Sequence, residues 1–571
     1  MSQIVWKEEI KFRHVYGSKI EQQLHLLSAK HYYDGEMCTA SFQPFLDIQN
    51  KYTRQYGSDF QIDHIESILN DGRIHENLTV KYYAEKVIRF LKHQQLRNKW
   101  IQYLSQFEKQ SNTNQSSCSM FPNGVETKNN HEESPKSSEQ QSAPGDVIEG
   151  AILLSSWFQP NSYIDPIYIR QQIKLIAELT IDELKAVYPQ NKLITKHGEV
   201  CLTDSEANSL NESLFPPLDC KQILMSLNNV LFLQLKFFGN SSRYYEPENS
   251  FIDKVIERRT GIPISLCILY QAIAAKLGVK VFLVNFPRHF LIKWLQFPDS
   301  LKDNQMRYTY IDVFDGGRFL EQLPVYFNAS SSQFSDWDSI VKPASVFRRM
   351  CNNLVEVGRQ QENSNDGLLC LRNGLELSLI ISPEDVESRM LLSRVYIHLN
   401  INLEEVEDML NKISSRDPAA TGIVMFLRQS VESQMFGKKK ANNRPIRKTR
   451  EKCDVKFAVG MIMKHKRYNY SCVIYGWDPK CAASRDWISQ MGVHNLPNKD
   501  KQPFYNVLVE DGSTRYAAQE NLIIGPSPQP INHYEVGKYF STFCGRYYLP
   551  NEEKKSEYPD DEEFRKRLLS K

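Results

Sequence analysis

Positive charge, aromatic rings and an imidazole are concentrated in one short stretch near the C-terminus. The residues are Lys464, His465, Lys466, Arg467, Tyr468, Tyr470 and Trp477. Lysine and arginine can contact phosphates, while tyrosine and tryptophan can stack on bases or wedge between them. The stretch pairs no nucleophile with a general base. Its chemistry therefore predicts binding rather than catalysis.

Short strands must position these side chains. Hydrophobic residues alternate with period two in Phe457–Met463, Cys472–Tyr475 and Tyr505–Val509, as in half-buried strands. Asp511-Gly512 lies between two such segments and favours a tight hairpin. Several short strands joined by tight turns predict a small C-terminal β-barrel.

This segment resembles the YccV/HspQ family, also called the hemimethylated-DNA-binding domain. The matching residues are Gly460, His465, Arg467, Tyr468, Tyr470, Val473, Trp477, Asp478, Pro503, Tyr505, Val507, Val509, Asp511, Tyr516, Gln519, Asn521 and Leu522. At Asn469 family members often carry Gly. Because Asn tolerates a left-handed backbone, we expect the turn to be preserved.

Three interpretations of this surface remain open. It binds nucleic acid, it recognises a protein or degron, or its aromatic residues only fill a core. Residues 450–550 contain 13 Lys and Arg against nine Asp and Glu, a small excess for a dedicated DNA-binding domain. The sequence also lacks the pattern of a base-reading helix.

The middle of the chain contains a second candidate site. RRTGIPISLCILYQAIAAKLGV, VNFPRHFLIKW and YTYIDVFDGG follow one another and resemble the SirB-type branch of the transglutaminase-like fold. In catalytic members a Cys opens the central helix as nucleophile, a His on the next strand is its base, and an Asp on the strand after orients the His. His289 and Asp312 match the last two positions.

The nucleophile position departs from the family pattern. The helix opens at Pro263-Ile264-Ser265 without a cysteine, and Cys267 lies about half a helical turn further on. One interpretation is a catalytically silent fold that retains the His289–Asp312 pair. The alternative is a hydrolase or transferase that uses Ser265 or Cys267 as its nucleophile.

The predicted fold class is multidomain α+β, with a helical N-terminal region, a transglutaminase-like domain, a short tetratricopeptide-like helical segment and a small β-barrel. The predicted segments are a helical region at 1–107, a disordered linker at 108–145, the α+β domain at 146–343, helices at 344–436, a basic linker at 437–452, the barrel at 453–550 and a charged tail at 551–571. The tail is expected to form a short exposed helix. The basic linker is either a solvated connection or a nuclear-import or phosphate-contacting segment.

Composition limits the remaining function classes. The 571 residues have a formal net charge of +2, so any binding to nucleic acid must come from a local patch. No apolar stretch is long enough to span a membrane, and the N-terminus lacks the apolar core of a secretory signal. Eleven cysteines without a C-x-x-C pair argue against a disulfide framework and a zinc finger. We expect a cytosolic or nuclear protein without cofactor or metal.

The order of these segments resembles the F-box only protein 21 family, whose members are substrate-recognition subunits of Skp–cullin–F-box ubiquitin ligases. This resemblance implies a Skp adaptor, a cullin and substrate proteins as partners, with DNA as a further candidate. Val5-Trp6-Lys7-Glu8 resembles only the last turn of an F-box. The adaptor and cullin are therefore expected only if a longer form carries the missing docking helices.

Overall fold

The computed structural model describes residues 3–29, 37–56, 60–70, 77–116, 146–197, 201–287, 289–296, 307–320, 339–361, 365–441, 447–450, 454–525 and 528–569. The chain forms two compact units. One contains Met1–Lys92, Tyr396–Asp408 and Gly422–Lys571, and the other contains His93–Val395 and Met409–Thr421. None of the helices in the described ranges combines the length and apolar character needed to cross a bilayer.

The second unit is built around one buried helix and one antiparallel sheet. The helix, Pro263–Lys276, is buried on nearly all sides, and Gly278 follows it with a φ of +74°. A positive φ favours glycine, which explains why the helix ends there. Strands β3 (Val281–Val284), β4 (Leu291–Leu295), β5 (Tyr308–Asp312) and β6 (Arg318–Leu320) pair in that order. A two-residue parallel pair joins β1 (Phe238–Gly239) to β2 (Thr260–Gly261).

Other helices surround this centre. Asp146 and Asp165 cap two of them by accepting hydrogen bonds from backbone amides. The helices of this part of the chain are Val147–Phe158, Pro166–Val187, Lys192–His197, Asp204–Ser209, Pro217–Asn228 and Ile252–Arg258, with a π-helix at Asn229–Gln234. Helix and antiparallel sheet thus confirm the predicted α+β class.

The described residues of the segment predicted to be helical, 344–436, lie mostly in helices. The helices are Pro343–Gln360, Asn365–Ile381, Val386–Leu399, Leu403–Arg416 and Thr421–Ala441. Two of them end directly before Ser382-Pro383 and Asp417-Pro418, because proline cannot continue a helix. The likeness to a tetratricopeptide repeat stays a prediction.

The N-terminal part of the first unit packs its own core. Helices Gln3–Ser28, Gln43–Tyr56, Phe60–Asn70 and the start of Leu78–Ser116 bury Ile20, Phe45, Ile65 and Val87. The last helix continues to Ser116, so the first residues of the predicted linker are helical rather than disordered. The rest of that linker, 117–145, lies outside the described residues.

The C-terminal part of this unit is a β domain. Strands β7 (Ile462–His465), β8 (Ser471–Asp478), β9 (Phe504–Val509), β10 (Thr514–Ala518) and β11 (Leu522–Ile524) form a sheet in the order β10-β9-β8-β7-β11. The hairpin predicted at Asp511-Gly512 is confirmed, with Gly512 at a φ of +82°. Strands β12 (Phe540–Phe543) and β13 (Tyr548–Pro550) form a second pair.

The predicted exposed tail is wrong. Helices Glu552–Glu557 and Asp561–Leu569 follow the last strand, and Asp561 and Arg565 are buried. Asp561 accepts hydrogen bonds from the Trp477 indole at 3.0 Å and from the Val459 amide at 2.6 Å. It also pairs with Arg450 at 2.7 Å. The final helix is therefore part of the β-domain core.

Two residues of the predicted basic linker also bond to the β domain. Lys448 pairs with Asp478 at 2.9 Å and donates to the Trp477 carbonyl at 3.2 Å. Arg450 donates to the carbonyls of Val455 and Phe457. Because these two basic side chains are already bonded within the β domain, they are poorly placed to form an import signal. Residues 442–446 lie outside the described residues.

Candidate functional site

His289 and Asp312 form a hydrogen-bonded pair in the second unit. Nε2 of His289, which lies shortly before β4, is 2.7 Å from Oδ2 of Asp312 at the end of β5. The Asp312 side chain is 2% exposed and that of His289 is 18% exposed. The other carboxylate oxygen accepts the amides of Phe314 and Asp315 at 3.1 Å each. The carboxylate thus orients the imidazole and fixes the loop after β5.

Cys267 lies in the core on the central helix. Its Sγ is 3.5 Å from the carbonyl oxygen of Phe290, which follows His289 in sequence. The residue has no exposed surface. Burial, and after it the Asp312 carboxylate, raises the pKa of the Cys267 thiol well above its ordinary value. Because the thiolate is the nucleophilic form, this environment keeps the sulfur unreactive.

Ser265 is occupied by the backbone. Its hydroxyl donates to the Asn249 carbonyl at 2.6 Å, lies 3.1 Å from the Ile262 carbonyl, and accepts the Ile262 amide at 3.1 Å. The side chain is 1% exposed. Ser265 therefore stabilises the start of the central helix. Within the described residues its hydrogen bonds do not include His289.

Two further residues that the sequence analysis did not single out hold this region together. Nη1 of Arg349, on helix Pro343–Gln360, donates to the Phe286 carbonyl at 2.8 Å and also contacts Asn285, which fixes the segment before His289. Asn228 donates to the Gly317 carbonyl at 2.7 Å and accepts the Tyr270 hydroxyl at 2.9 Å. No local sequence signal connects these residues to the site, because each is far from it along the chain.

The basic turn, Lys464–Tyr470, comprises the last two residues of β7 and the loop that leads to β8. Asn469 has a φ of +57°, which confirms that this position requires a left-handed backbone. His465 is 4% exposed, and its Nδ1 accepts the amides of Arg467 at 3.2 Å and Tyr468 at 3.1 Å. Burial, Arg515 and Arg467 lower the pKa of His465. His465 thus organises the turn from within.

The exposed part of the turn is smaller than the predicted set. Lys466, Arg467 and Tyr468 are exposed, whereas Lys464 and Tyr470 are half-buried. The Arg467 guanidinium carbon lies 5.4 Å from the Tyr468 ring centroid, and that of Arg515 lies 4.4 Å from the Tyr470 ring. Arg515, on β10, adds a charge that the sequence analysis missed.

Trp477 requires a correction. Its side chain was predicted to contact a ligand, but it is 1% exposed and donates to Asp561. Its ring lies 5.2 Å from that of Tyr558. Trp477 belongs to the core because the C-terminal segment covers it, which its neighbours along the chain do not reveal.

Across the described ranges, no three His, Cys, Asp or Glu side chains converge to hold a metal ion.

Comparison with known proteins relates both regions to one family. The chain is 35% identical to F-box only protein 21 of Homo sapiens over 569 residues, which cover 98% of this chain and 82% of that protein. F-box only protein 21 of Pongo abelii is also 35% identical, over 562 residues, with the same shares of both chains covered. The chain belongs to the F-box only protein 21 family.

Two domain families match within this F-box only protein 21 relative. Residues 202–350 match the transglutaminase-like superfamily, and residues 455–547 match the hemimethylated DNA-binding protein YccV like family. A UPF0162 protein of Xylella fastidiosa is 38% identical over 98 residues, 17% of this chain and 32% of that protein. No solved structure matches this chain.

Proposed function

We propose that this chain is the substrate-recognition subunit of a Skp–cullin–F-box ubiquitin ligase. The observation that carries the proposal is the similarity to F-box only protein 21 along 98% of the chain. A Skp adaptor and a cullin would connect it to the conjugating enzyme, while its α+β and β domains would bind target proteins. Residence in the cytosol or nucleus stays a prediction.

The proposed mechanism is proximity without covalent chemistry by this chain. A bound target presents its lysines to the charged conjugating enzyme at a high effective concentration. The environment of Cys267 supports a non-catalytic role, since a fully buried thiol with a raised pKa is a poor nucleophile. The His289–Asp312 pair would then shape a binding surface.

Affinity purification from cells that express the tagged protein from its own gene tests this proposal. We expect a Skp adaptor and a cullin to copurify, and the purified complex to ubiquitinate a protein captured with it. Cys267→Ala, which removes the buried thiol, should leave ubiquitin transfer unchanged. Absence of both ligase subunits, or amide or ester turnover by the purified chain that His289→Ala abolishes, would contradict the proposal.

DNA binding by the basic turn is a second candidate function. It is favoured by the exposure of Lys466, Arg467 and Tyr468 together, and by the likeness of residues 455–547 to a family described as hemimethylated DNA-binding. Positive side chains would contact phosphates and Tyr468 would stack on a base.

Titration with unmethylated, hemimethylated and fully methylated duplexes separates this candidate from protein recognition. We expect Arg467→Glu to weaken duplex binding. The slope of the logarithm of the binding constant against the logarithm of the salt concentration should become shallower by about one unit or more, because a phosphate contact is lost. Arg485→Glu, an exposed charge reversal elsewhere in the β domain, is the matched control. Equal weak binding to any polyanion would argue against specific recognition of DNA.

A further inference from the structure

A cavity of about 120 Å³ lies beside the central helix of the second unit. Its apolar wall comes from helices and from the segment that leads into β3, and includes Ile148, Ile173, Ile268, Ala272, Ala275 and Val279. The cavity is distinct from the site described above, because His289 and Asp312 do not line it. An apolar cavity of ~150 Å³ binds benzene in another protein, so this volume suits a small branched aliphatic group.

Most charges on the polar side of the cavity are already paired. Arg170 lies 2.8 Å from Asp146 and 2.8 Å from Glu149. Lys276 lies 2.7 Å from Asp204 and donates to the Leu202 carbonyl at 2.9 Å. Glu149 does not line the cavity, so the lining pairs, Arg170 with Asp146 and Lys276 with Asp204, contribute no net charge to its wall.

Lys280 differs from these two cations. It lines the same cavity, but no carboxylate of the described residues lies within ion-pair distance of its ammonium. Its Nζ lies 5.8 Å from the centroid of the Phe282 ring. Burial lowers the pKa of Lys280, and no acidic neighbour offsets that effect. A half-buried ammonium without a counter-ion is costly, and an anionic ligand would relieve that cost.

We propose that this cavity binds an aliphatic group that ends in a carboxylate, with the hydrocarbon among Ile173, Ile268 and Ala275 and the carboxylate against Lys280. The identity of the ligand rests on the function proposed above. For a substrate-recognition subunit, this ligand is the C-terminal residue of a target protein, such as valine or leucine. The free α-carboxylate, together with a short branched side chain, would mark the target.

Fluorescence anisotropy with the purified full chain tests this proposal. The probe is a labelled peptide that ends in valine with a free carboxylate, compared with the same peptide as its C-terminal amide. We expect the acid to bind roughly tenfold more tightly than the amide, because a charge-assisted hydrogen bond is lost in the amide. Equal binding of the two peptides would overturn the proposal.

Variants locate the binding in the cavity. Lys280→Gln should remove the preference for the acid, and Lys280→Arg should retain it. Lys174→Gln makes the same change of net charge on an exposed helical residue and should have no effect. Ala275→Leu fills the cavity and should block both peptides. An unchanged preference in Lys280→Gln, with the fold verified by circular dichroism, would refute the site.

Free isovalerate distinguishes the two sources of such a group. If the peptide acid binds and isovalerate displaces it only at much higher concentration, a protein C-terminus is supported. If isovalerate binds and the peptide does not, the C-terminal assignment is overturned. The assay contains no ligase subunits, so its outcome is independent of whether a Skp adaptor and a cullin copurify.

Discussion

Two buried carboxylates organise the two regions of this chain in different ways. Asp312 fixes a histidine that keeps part of its surface in solvent, together with the loop after β5. Asp561 instead binds the Val459 amide and the Trp477 indole, which lie in the core of the β domain, and the Arg450 side chain, which is 12% exposed. A buried, fully bonded carboxylate is thus no sign of a functional site by itself. The difference lies in what each carboxylate holds: Asp312 holds an imidazole and one loop, whereas Asp561 joins three residues that are distant from it in sequence.

The largest expected effect is on Asp561. Asp561→Ala leaves the mostly buried Arg450 guanidinium without its carboxylate and the Trp477 indole and Val459 amide without their acceptor, so we expect the β domain to lose about 3–5 kcal/mol in free energy of unfolding. Hydrogen exchange of β7–β9 amides with increasing urea measures this loss. Glu563→Ala, at an exposed residue two positions away, should change little. A loss below about 1 kcal/mol for Asp561→Ala would show that this carboxylate does not hold the β-domain core together.

The next effect concerns the thiol beside the His289–Asp312 pair. Iodoacetamide should alkylate Cys267 on the order of 100-fold more slowly than the exposed Cys544, because Cys267 is buried and its pKa is raised. Peptide mass spectrometry of the native chain measures both rates. Rapid labelling of Cys267 that is lost in His289→Ala would instead indicate a working nucleophile and base.

Asp312→Ala should have a smaller effect on stability. The change removes the acceptor of two backbone amides and of His289, so we expect the second unit to lose about 1–3 kcal/mol. The amides of Phe314 and Asp315 should exchange faster with solvent, which hydrogen exchange detects residue by residue. Asp315→Ala is the control, since this carboxylate is exposed. Unchanged exchange at these two amides would show that Asp312 does not hold the loop.

The smallest effect is a pH dependence from His465. Its pKa is lowered in the folded state from the ordinary 6.5, so the unfolded chain binds a proton first as the pH falls. Stability of the β domain should therefore decrease below about pH 6.5. His533, whose pKa burial also lowers, contributes with the same sign. His465→Asn should reduce the slope without removing it, measured by urea unfolding between pH 5 and 7.

Local patterns predicted much of this architecture from the sequence. The hairpin at Asp511-Gly512 and the helix end at Gly278 depend on backbone angles that neighbouring residues determine. The pairing of His289 with Asp312 followed from the resemblance, and the structure places the two side chains in contact.

Contacts between distant segments were the part that could not be predicted. Arg349 and Asp561 bond groups that lie far away in sequence. Arg450 bonds the Val455 carbonyl across a turn, and the periodicity of the sequence does not predict the geometry of that turn. Aromatic residues were ambiguous for the same reason. Trp477 and Tyr468 lie nine residues apart and were both predicted to contact a ligand, yet one is in the core and the other in solvent.

The position of the final helix determines which fragments of this chain can be studied alone. The matched domain family covers residues 455–547, a range that omits both Arg450 and Asp561. A fragment cut at these limits would leave the indole nitrogen of Trp477 and the amide of Val459 without acceptors. A fragment that begins before Arg447 and continues through Leu569 would retain those acceptors. Weak ligand binding by the shorter fragment would therefore reflect a destabilised fold and not the specificity of the domain.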